Sequence, residues 1–306
     1  MEKVFLLDIG GTNVRYALAE KGKTSIEKIF KKNIGSKSLD KLLEDLLTTE
    51  SGKVLNIVIS AAGPKLDGII RMTNRSYKID PNEIKEKFSL KECHLLNDWE
   101  SIAYGHAYLN QKDFINLINK EVSSYNKNSL YFGPGTGLGV SILLDNQIVI
   151  SSEYGNTNIG VEELIGEDLS KLHHFKSIED TLSGKAISKI YEIKTRKNLS
   201  AEEIFSQAKN DDLVAKEIIQ DFIERLATIL SDLTLSFLPG KGIYLAGNLT
   251  RSLKDFINTK IFEEKFLSNK AGPHLEILKN TPINIIMKEH SPLYGNLNYF
   301  NLSQRD

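Results

Sequence analysis

The sequence lacks several features that would assign a chain to a special class. Cys93 is the only cysteine among 306 residues, so neither an intrachain disulfide nor a cysteine-rich zinc site can form, and a reducing, cytoplasmic setting is expected. Neither charge is in excess: 39 Lys plus Arg stand against 40 Asp plus Glu, for a net charge of −1. That balance argues against nucleic acid or an anionic membrane as partner, whose binding draws on clustered basic residues. Small neutral or mildly acidic ligands fit it better. Long apolar runs are also missing. After Met1-Glu2-Lys3 only Val4 to Leu7 are apolar before Asp8, which makes neither a signal peptide nor a membrane span. There is no short-period repeat and no low-complexity linker, and the lysine-rich stretch 21–32 reads as the solvated rim of a hairpin.

What is present describes an ordinary globular protein, with 41% hydrophobic and 26% charged residues. At roughly 100–200 residues per domain, the length favours two domains. Short apolar runs at Val4–Leu7, Ile57–Ile59, Leu130–Phe132, Val140–Leu144, Ile243–Leu245 and Ile283–Ile286 predict strands. Ile218, Phe222, Leu226, Ile229, Leu233 and Phe237 recur at helical spacing until Pro239-Gly240. A second helix is predicted after Ser38 as N-cap, with Leu39, Leu42, Leu43, Leu46 and Leu47 on one face. Strands mixed with helices give an α/β protein.

Two glycine-rich turns follow predicted strands. The first is Asp8-Ile9-Gly10-Gly11-Thr12-Asn13. Glycines there let backbone amides approach phosphate oxygens, because no Cβ intervenes and left-handed torsions cost little. Val14, Tyr16 and Leu18 alternate beyond it as in a strand, so the turn joins two strands, which excludes a Walker loop and a dinucleotide fingerprint. A plain hairpin turn is the other reading. The second turn, Gly133-Pro134-Gly135-Thr136-Gly137-Leu138-Gly139, places four glycines in seven positions, too many for an ordinary hairpin given the entropy they cost. Close approach of backbone to a ligand explains it better. A third site, Leu245-Ala246-Gly247-Asn248, follows a strand and could hold a nucleoside or form a strand-to-helix turn. The repetition of a glycine turn after a strand suggests two similar halves facing a shared cleft.

In order and spacing these sites resemble the bacterial glucokinase family, with its hexokinase and actin-like fold. The first two turns resemble its phosphate motifs, and Leu245-Ala246-Gly247 its adenosine motif. The resemblance continues through Ile59-Ser60-Ala61-Ala62-Gly63-Pro64, Met72-Thr73-Asn74, Asn97-Asp98, Glu153 and Glu179-Asp180-Thr181-Leu182-Ser183-Gly184, over most of the chain. It implies a two-lobed, ribonuclease H-like ATPase fold with a central cleft. The smaller domain would comprise 1–108 plus 292–306, and the larger 109–291. It further implies ATP and Mg²⁺ as cofactors, a sugar substrate and a homodimer.

By that resemblance Asp98 is the general base and Asn97 a sugar ligand. Taken alone, Asp98 stands at the start of a predicted helix and reads first as its N-cap, ionised by helix amides; the resemblance reverses that preference. Asp8 would hold Mg²⁺ through water or close an Asx turn. Asn74, Asn97, Asp98, Glu153, Asn156 and Glu179 would bind the sugar; Asp8, Gly10, Gly11, Thr12, Asn13, Gly135, Thr136, Gly137 and Gly247 would bind the nucleotide.

The sequence also departs from the family pattern. Glu153-Tyr154-Gly155-Asn156 replaces Glu-Gly-Gly-His, Arg75-Ser76-Tyr77 replaces His-Thr-Trp after Asn74, and Gly247-Asn248 replaces Gly-Gly. One cysteine cannot build the zinc cluster of related repressors and sugar kinases, and His173-His174 reads as a solvated helix end. The activity implied is transfer of phosphate from ATP to glucose. A kinase for mannose or an N-acyl hexosamine, and a non-catalytic sugar or nucleotide sensor, are the alternatives.

Overall fold

The computed structural model describes residues 2–49, 54–72, 75–118, 124–172, 174–289 and 291–304. The chain divides into two compact units, 1–110 with 146–151 and 288–306, and 111–145 with 152–287. The sequence reading sets its boundaries a few residues away, at 108/109 and 291/292, and does not anticipate the excursion at 146–151.

The strands of the first unit are β1 (Lys3–Ile9), β2 (Asn13–Glu20), β3 (Phe30–Asn33), β4 (Asn56–Ala61), β5 (Lys65–Leu66), β6 (Ile69–Arg71), β7 (Lys78–Ile79) and β8 (Glu92–Asn97). Five make a sheet of order β3-β2-β1-β4-β8, and β5 to β7 a small separate one. β1 runs antiparallel to β2 and parallel to β4, which is in turn parallel to β8. Side chains of β1 alternate between two buried faces. Phe5, Leu7 and Ile9 share a core with Leu42, Leu43 and Leu46 of helix α1 (Leu39–Thr49), while Val4 and Leu6 share another with Leu293, Leu297 and Phe300. Burying each such leucine contributes about 1.5–3 kcal/mol. Ser38 caps α1 as expected, its Oγ accepting from the Lys41 amide at 3.3 Å.

Helices α2 (Pro81–Lys87) and α3 (Asp98–Tyr104) complete this unit with a carboxy-terminal helix, Ser291–Ser303. That last helix approaches α3 so closely that a Cβ on Gly295 would fall 1.6 Å from the Ser101 carbonyl oxygen. It is pinned to the sheet as well, since buried Asn296 donates through Nδ2 to the Leu7 carbonyl at 2.8 Å and to Ser60 Oγ at 3.2 Å.

A second sheet runs β12-β11-β10-β13-β14-β9, formed by β9 (Phe114–Ile118), β10 (Ser129–Pro134), β11 (Leu138–Leu144), β12 (Ile148–Ser152), β13 (Gly242–Leu245) and β14 (Ile283–Ile286). It repeats the plan of the first. The antiparallel pair β10-β11 is closed by the second glycine turn, as β1-β2 is by the first, and parallel strands β13 and β14 follow. Helices α4 (Val161–Ile165), α5 (Glu167–Ser170), α6 (Ile178–Thr181), α7 (Gly184–Thr195), α8 (Ala201–Lys209), α9 (Leu213–Phe237), α10 (Asn248–Leu253), α11 (Thr259–Leu267) and α12 (Gly272–Lys279) belong to the second unit. Ile218, Phe222, Leu226, Ile229 and Leu233 of α9 are buried in its core, and Phe237 packs at the margin. The helix stops with Leu238 in the left-handed region at φ 47°, directly before Pro239. Among the described residues no helix is long and apolar enough to cross a membrane.

Candidate active site

In the first unit, β1 delivers Asp8 to the glycine turn. Asp8 is buried, 6% exposed as a residue, and its carboxylate accepts from Arg15 Nη1, on the facing position of β2, at 3.0 Å. The turn then uses some of its own polar groups. The Gly10 amide donates to the Asn13 carbonyl at 2.9 Å, and the Thr12 carbonyl accepts from the Ile34 amide at 3.0 Å. The amides of Gly11 and Thr12 have no partner among the described residues, and they are the donors left to an anion. Neither Gly10 nor Gly11 has a positive φ, so the left-handed torsions expected from the sequence are not used. The turn needs space instead: a Cβ on Gly10 would lie 3.2 Å from the Asn13 carbonyl oxygen.

β8 ends at Asn97, and α3 begins at Asp98. The N-cap is Asn97, not Asp98, which corrects that alternative. Asn97 Oδ1 accepts from the Trp99 amide at 2.8 Å, its Nδ2 donates to the Gly63 carbonyl at 2.9 Å, and Glu100 returns the cap by accepting from the Asn97 amide at 2.7 Å. Glu100 is buried and grips Lys65 Nζ through both oxygens, at 2.9 and 2.7 Å. This network fixes the first turn of α3. Asp98, half-buried, accepts from the Trp99 amide at 3.0 Å on Oδ1. Asn74 and Thr73 lie outside the described residues.

In the second unit the other glycine turn follows the same pattern. The Gly135 amide donates to the Gly137 carbonyl at 2.7 Å, the Leu138 amide donates to Glu179 Oε2 at 2.9 Å, and the amides of Thr136 and Gly137 have no partner among the described residues. A Cβ on Gly137 would sit 2.3 Å from Glu179 Oε2, so any larger residue there displaces that carboxylate. Glu179 comes from α6, whose N-terminus is held by a capping box between Ser177 and Asp180. The carbonyl of Gly135 in turn accepts from the Gly184 amide, at the start of α7, at 2.8 Å.

Glu153 and Asn156 lie against the same turn. Asn156 Nδ2 donates to Glu153 Oε2 at 3.1 Å, and a Cβ on Gly155 between them would meet the Leu138 carbonyl at 2.5 Å. The carboxyl of Glu153 is raised above the ordinary range, chiefly by desolvation among its neighbours; the bond from Asn156 opposes the shift and the charge of Glu179 adds to it. Glu153 thus feels the charge of Glu179 at one end of the turn.

A cavity of ≈ 780 Å³ borders the turn, lined by Gly135, Thr136, Gly184, Lys185, Lys189 and Asn248 among others. Its size suits a nucleotide. Gly247, before α10, has φ 106°, a conformation that favours glycine. Asn248 belongs to the third glycine site expected from the sequence, whereas Lys185 and Lys189 carry no signal there beyond their nearness to Gly184.

No group of three or more His, Cys, Asp or Glu that could hold a metal occurs among the described residues; His173 lies outside them. A single ion-paired carboxylate, Asp8, cannot build a metal cage. It fits an ion that keeps its water and arrives on nucleotide phosphates, as Mg²⁺ does.

Known proteins give the same picture. The glucokinase family model matches residues 5–302. A glucokinase-like protein of Xylella fastidiosa is 28% identical over 94% of this chain and 90% of its own, and a glucokinase of Saccharophagus degradans is 28% identical over 96% and 97%. Among solved structures, a glucokinase from an Antarctic psychrotroph superposes with a TM-score of 0.82 at 25% identity, covering 97% of this chain and 98% of that one. The chain belongs to the glucokinase family and is a sugar kinase on the α/β, actin-like ATPase fold.

Proposed function

We propose that the protein transfers the γ-phosphate of ATP to the 6-hydroxyl of glucose, with Asp98 as general base. The observation that carries this reading is the family match from residue 5 to 302, within which Asp98 stands on a helix start fixed by Asn97, Glu100 and Lys65. Phosphoryl transfer asks little covalent chemistry of the protein. A carboxylate oxygen of Asp98 takes the proton of the 6-hydroxyl as that oxygen bonds to the γ-phosphorus, and the bond to the β-phosphate oxygen breaks. The proton stays on Asp98 until product leaves, and ADP departs with the bonding pair. The amides of Gly11, Thr12, Thr136 and Gly137 supply donors for the charge on the phosphates. Bound beside Asp8, Mg²⁺ would neutralise phosphate charge.

Asn74, Asn97, Glu153, Asn156 and Glu179 serve as the sugar ligands in this reading. Once covered by a bound sugar, amides and carboxylates of this kind reject sugars that lack the matching hydroxyl, because they would be left unpaired. Gly247 and Asn248 border the nucleoside. A homodimer in the cytoplasm completes the proposal.

One observation favours a second substrate. Asn156 replaces the family histidine and spends its amide on Glu153, so a hexose with a different substituent near the anomeric end, such as mannose or an N-acyl hexosamine, fits as an alternative. The test of the base is Asp98→Asn. Loss of a positioned base costs about 10²–10⁴ in rate, so kcat should fall by that factor while calorimetry shows sugar affinity nearly unchanged. A variant with most of its turnover intact would remove Asp98 from the role.

A further inference from the structure

We propose that Arg75 is a positioning residue that sets the first glycine turn in its ligand-binding shape. The proposal rests on the reading of that turn as a phosphate site. Arg75 lies in the connection between β6 and β7, at the point where the sequence departs from the His-Thr-Trp pattern. Its Nε donates to the Gly11 carbonyl at 2.5 Å and its Nη2 to the Gly35 carbonyl at 2.7 Å. Nη1 donates to the Tyr77 hydroxyl at 3.2 Å, and that hydroxyl donates to the Lys37 carbonyl. The guanidinium also stands 5.2 Å from the centre of the Tyr77 ring, which is 8% exposed. One planar fork therefore ties the β1-β2 turn to the segment that leads from β3 into α1.

The consequence follows from peptide planarity. The Gly11 carbonyl and the Thr12 amide belong to one peptide unit, and in a trans unit they point in opposite directions. Fixing the Gly11 oxygen fixes the direction of the Thr12 N–H. That N–H is one of the two donors that the turn leaves unengaged among the described residues. Arg75 acts through the peptide, and its charge, met among the described residues by carbonyls and a hydroxyl, polarises that N–H further. A lysine cannot replace it, because a single ammonium lacks the planar fork that meets carbonyls from two separate turns and a hydroxyl at once.

The test compares wild type with Arg75→Ala, Arg75→Lys and Tyr77→Phe in the full chain, with ATP and sugar measured separately. Sugar binding is followed without nucleotide by the fluorescence of Trp99, the sole tryptophan and the neighbour of Asp98. ATP binding is followed by calorimetry and by KM. Loss of bonds to a charged group at this strength predicts about a tenfold rise in the KM and dissociation constant for ATP in Arg75→Ala. Arg75→Lys should recover only part of it, and sugar affinity should stay within twofold. If Arg75→Ala fails to fold, Arg75→Lys and Tyr77→Phe at unchanged melting temperature carry the same comparison. ATP affinity unchanged in the folded variants, or an equal loss of sugar affinity, would overturn the proposal. A wild type that binds no ATP would overturn the phosphate reading beneath it, and a wild type that binds ATP without turnover would still decide the proposal through the dissociation constants.

Discussion

Glu153 carries opposing influences on one carboxyl. Desolvation among its neighbours and the charge of Glu179 raise its pKa, and the bond from Asn156 only partly offsets them. The sign follows directly. A carboxyl whose folded pKa is raised takes up its proton at a higher pH than an ordinary glutamate, and its ionised form opposes folding above that pKa and ceases to do so below it. For binding, the ionised form is the acceptor that a sugar hydroxyl needs. Sugar affinity measured by Trp99 fluorescence should therefore weaken on mild acidification, beginning above the ordinary glutamate range. Glu153→Gln should bind more weakly at neutral pH and lose that acid limb; retention of the same limb would assign it to another group. The identity of Glu153 as a candidate was legible through resemblance, but the charge of Glu179 beside it was not, because α6 comes near only when it is packed against the second glycine turn. The same holds for Glu100 and Lys65, 35 residues apart in sequence.

At the scale of elements, apolar runs located β1, β4, β10, β11, β13 and β14, and helical periodicity located α1 and α9, because those segments bury enough surface to impose a period. Strands of two or three residues such as β5, β6 and β7 show no period at all. Two short helices carry a readable start signal in the sequence: Ser200 and Glu203 form the capping box of α8, and Ser177 and Asp180 that of α6. Helix crossings are invisible in sequence, and the contact of Gly295 with Ser101 is one of them. Gly295→Ala places a methyl 1.6 Å from a carbonyl oxygen, so α3 or its partner must move. Overpacking of this kind costs about 1–3 kcal/mol, and the melting temperature should drop by several degrees. Since α3 starts with Asp98, kcat should fall as well. An unchanged melting curve would mean that the two helices separate freely.

At the scale of the molecule, a near-zero net charge coexists with a nucleotide reading because the donors are backbone amides. Gly11 with Thr12, and Thr136 with Gly137, offer the same pair of N–H groups unengaged among the described residues, on two sheets of the same plan. The α/β class and the glycine turns could be foreseen from spacing; which polar groups the turns spend could not, since that depends on Ile34, Glu179 and Gly184 arriving from elsewhere in the fold. The central claim is phosphate transfer from ATP to glucose, and ADP release by the purified protein across glucose, mannose and N-acetylhexosamines tests it most directly, with the product's phosphate position read by NMR. Glucose should give the highest kcat/KM and yield glucose 6-phosphate. Binding of both ATP and sugar without ADP release for any hexose would contradict the account and leave a sensor in its place.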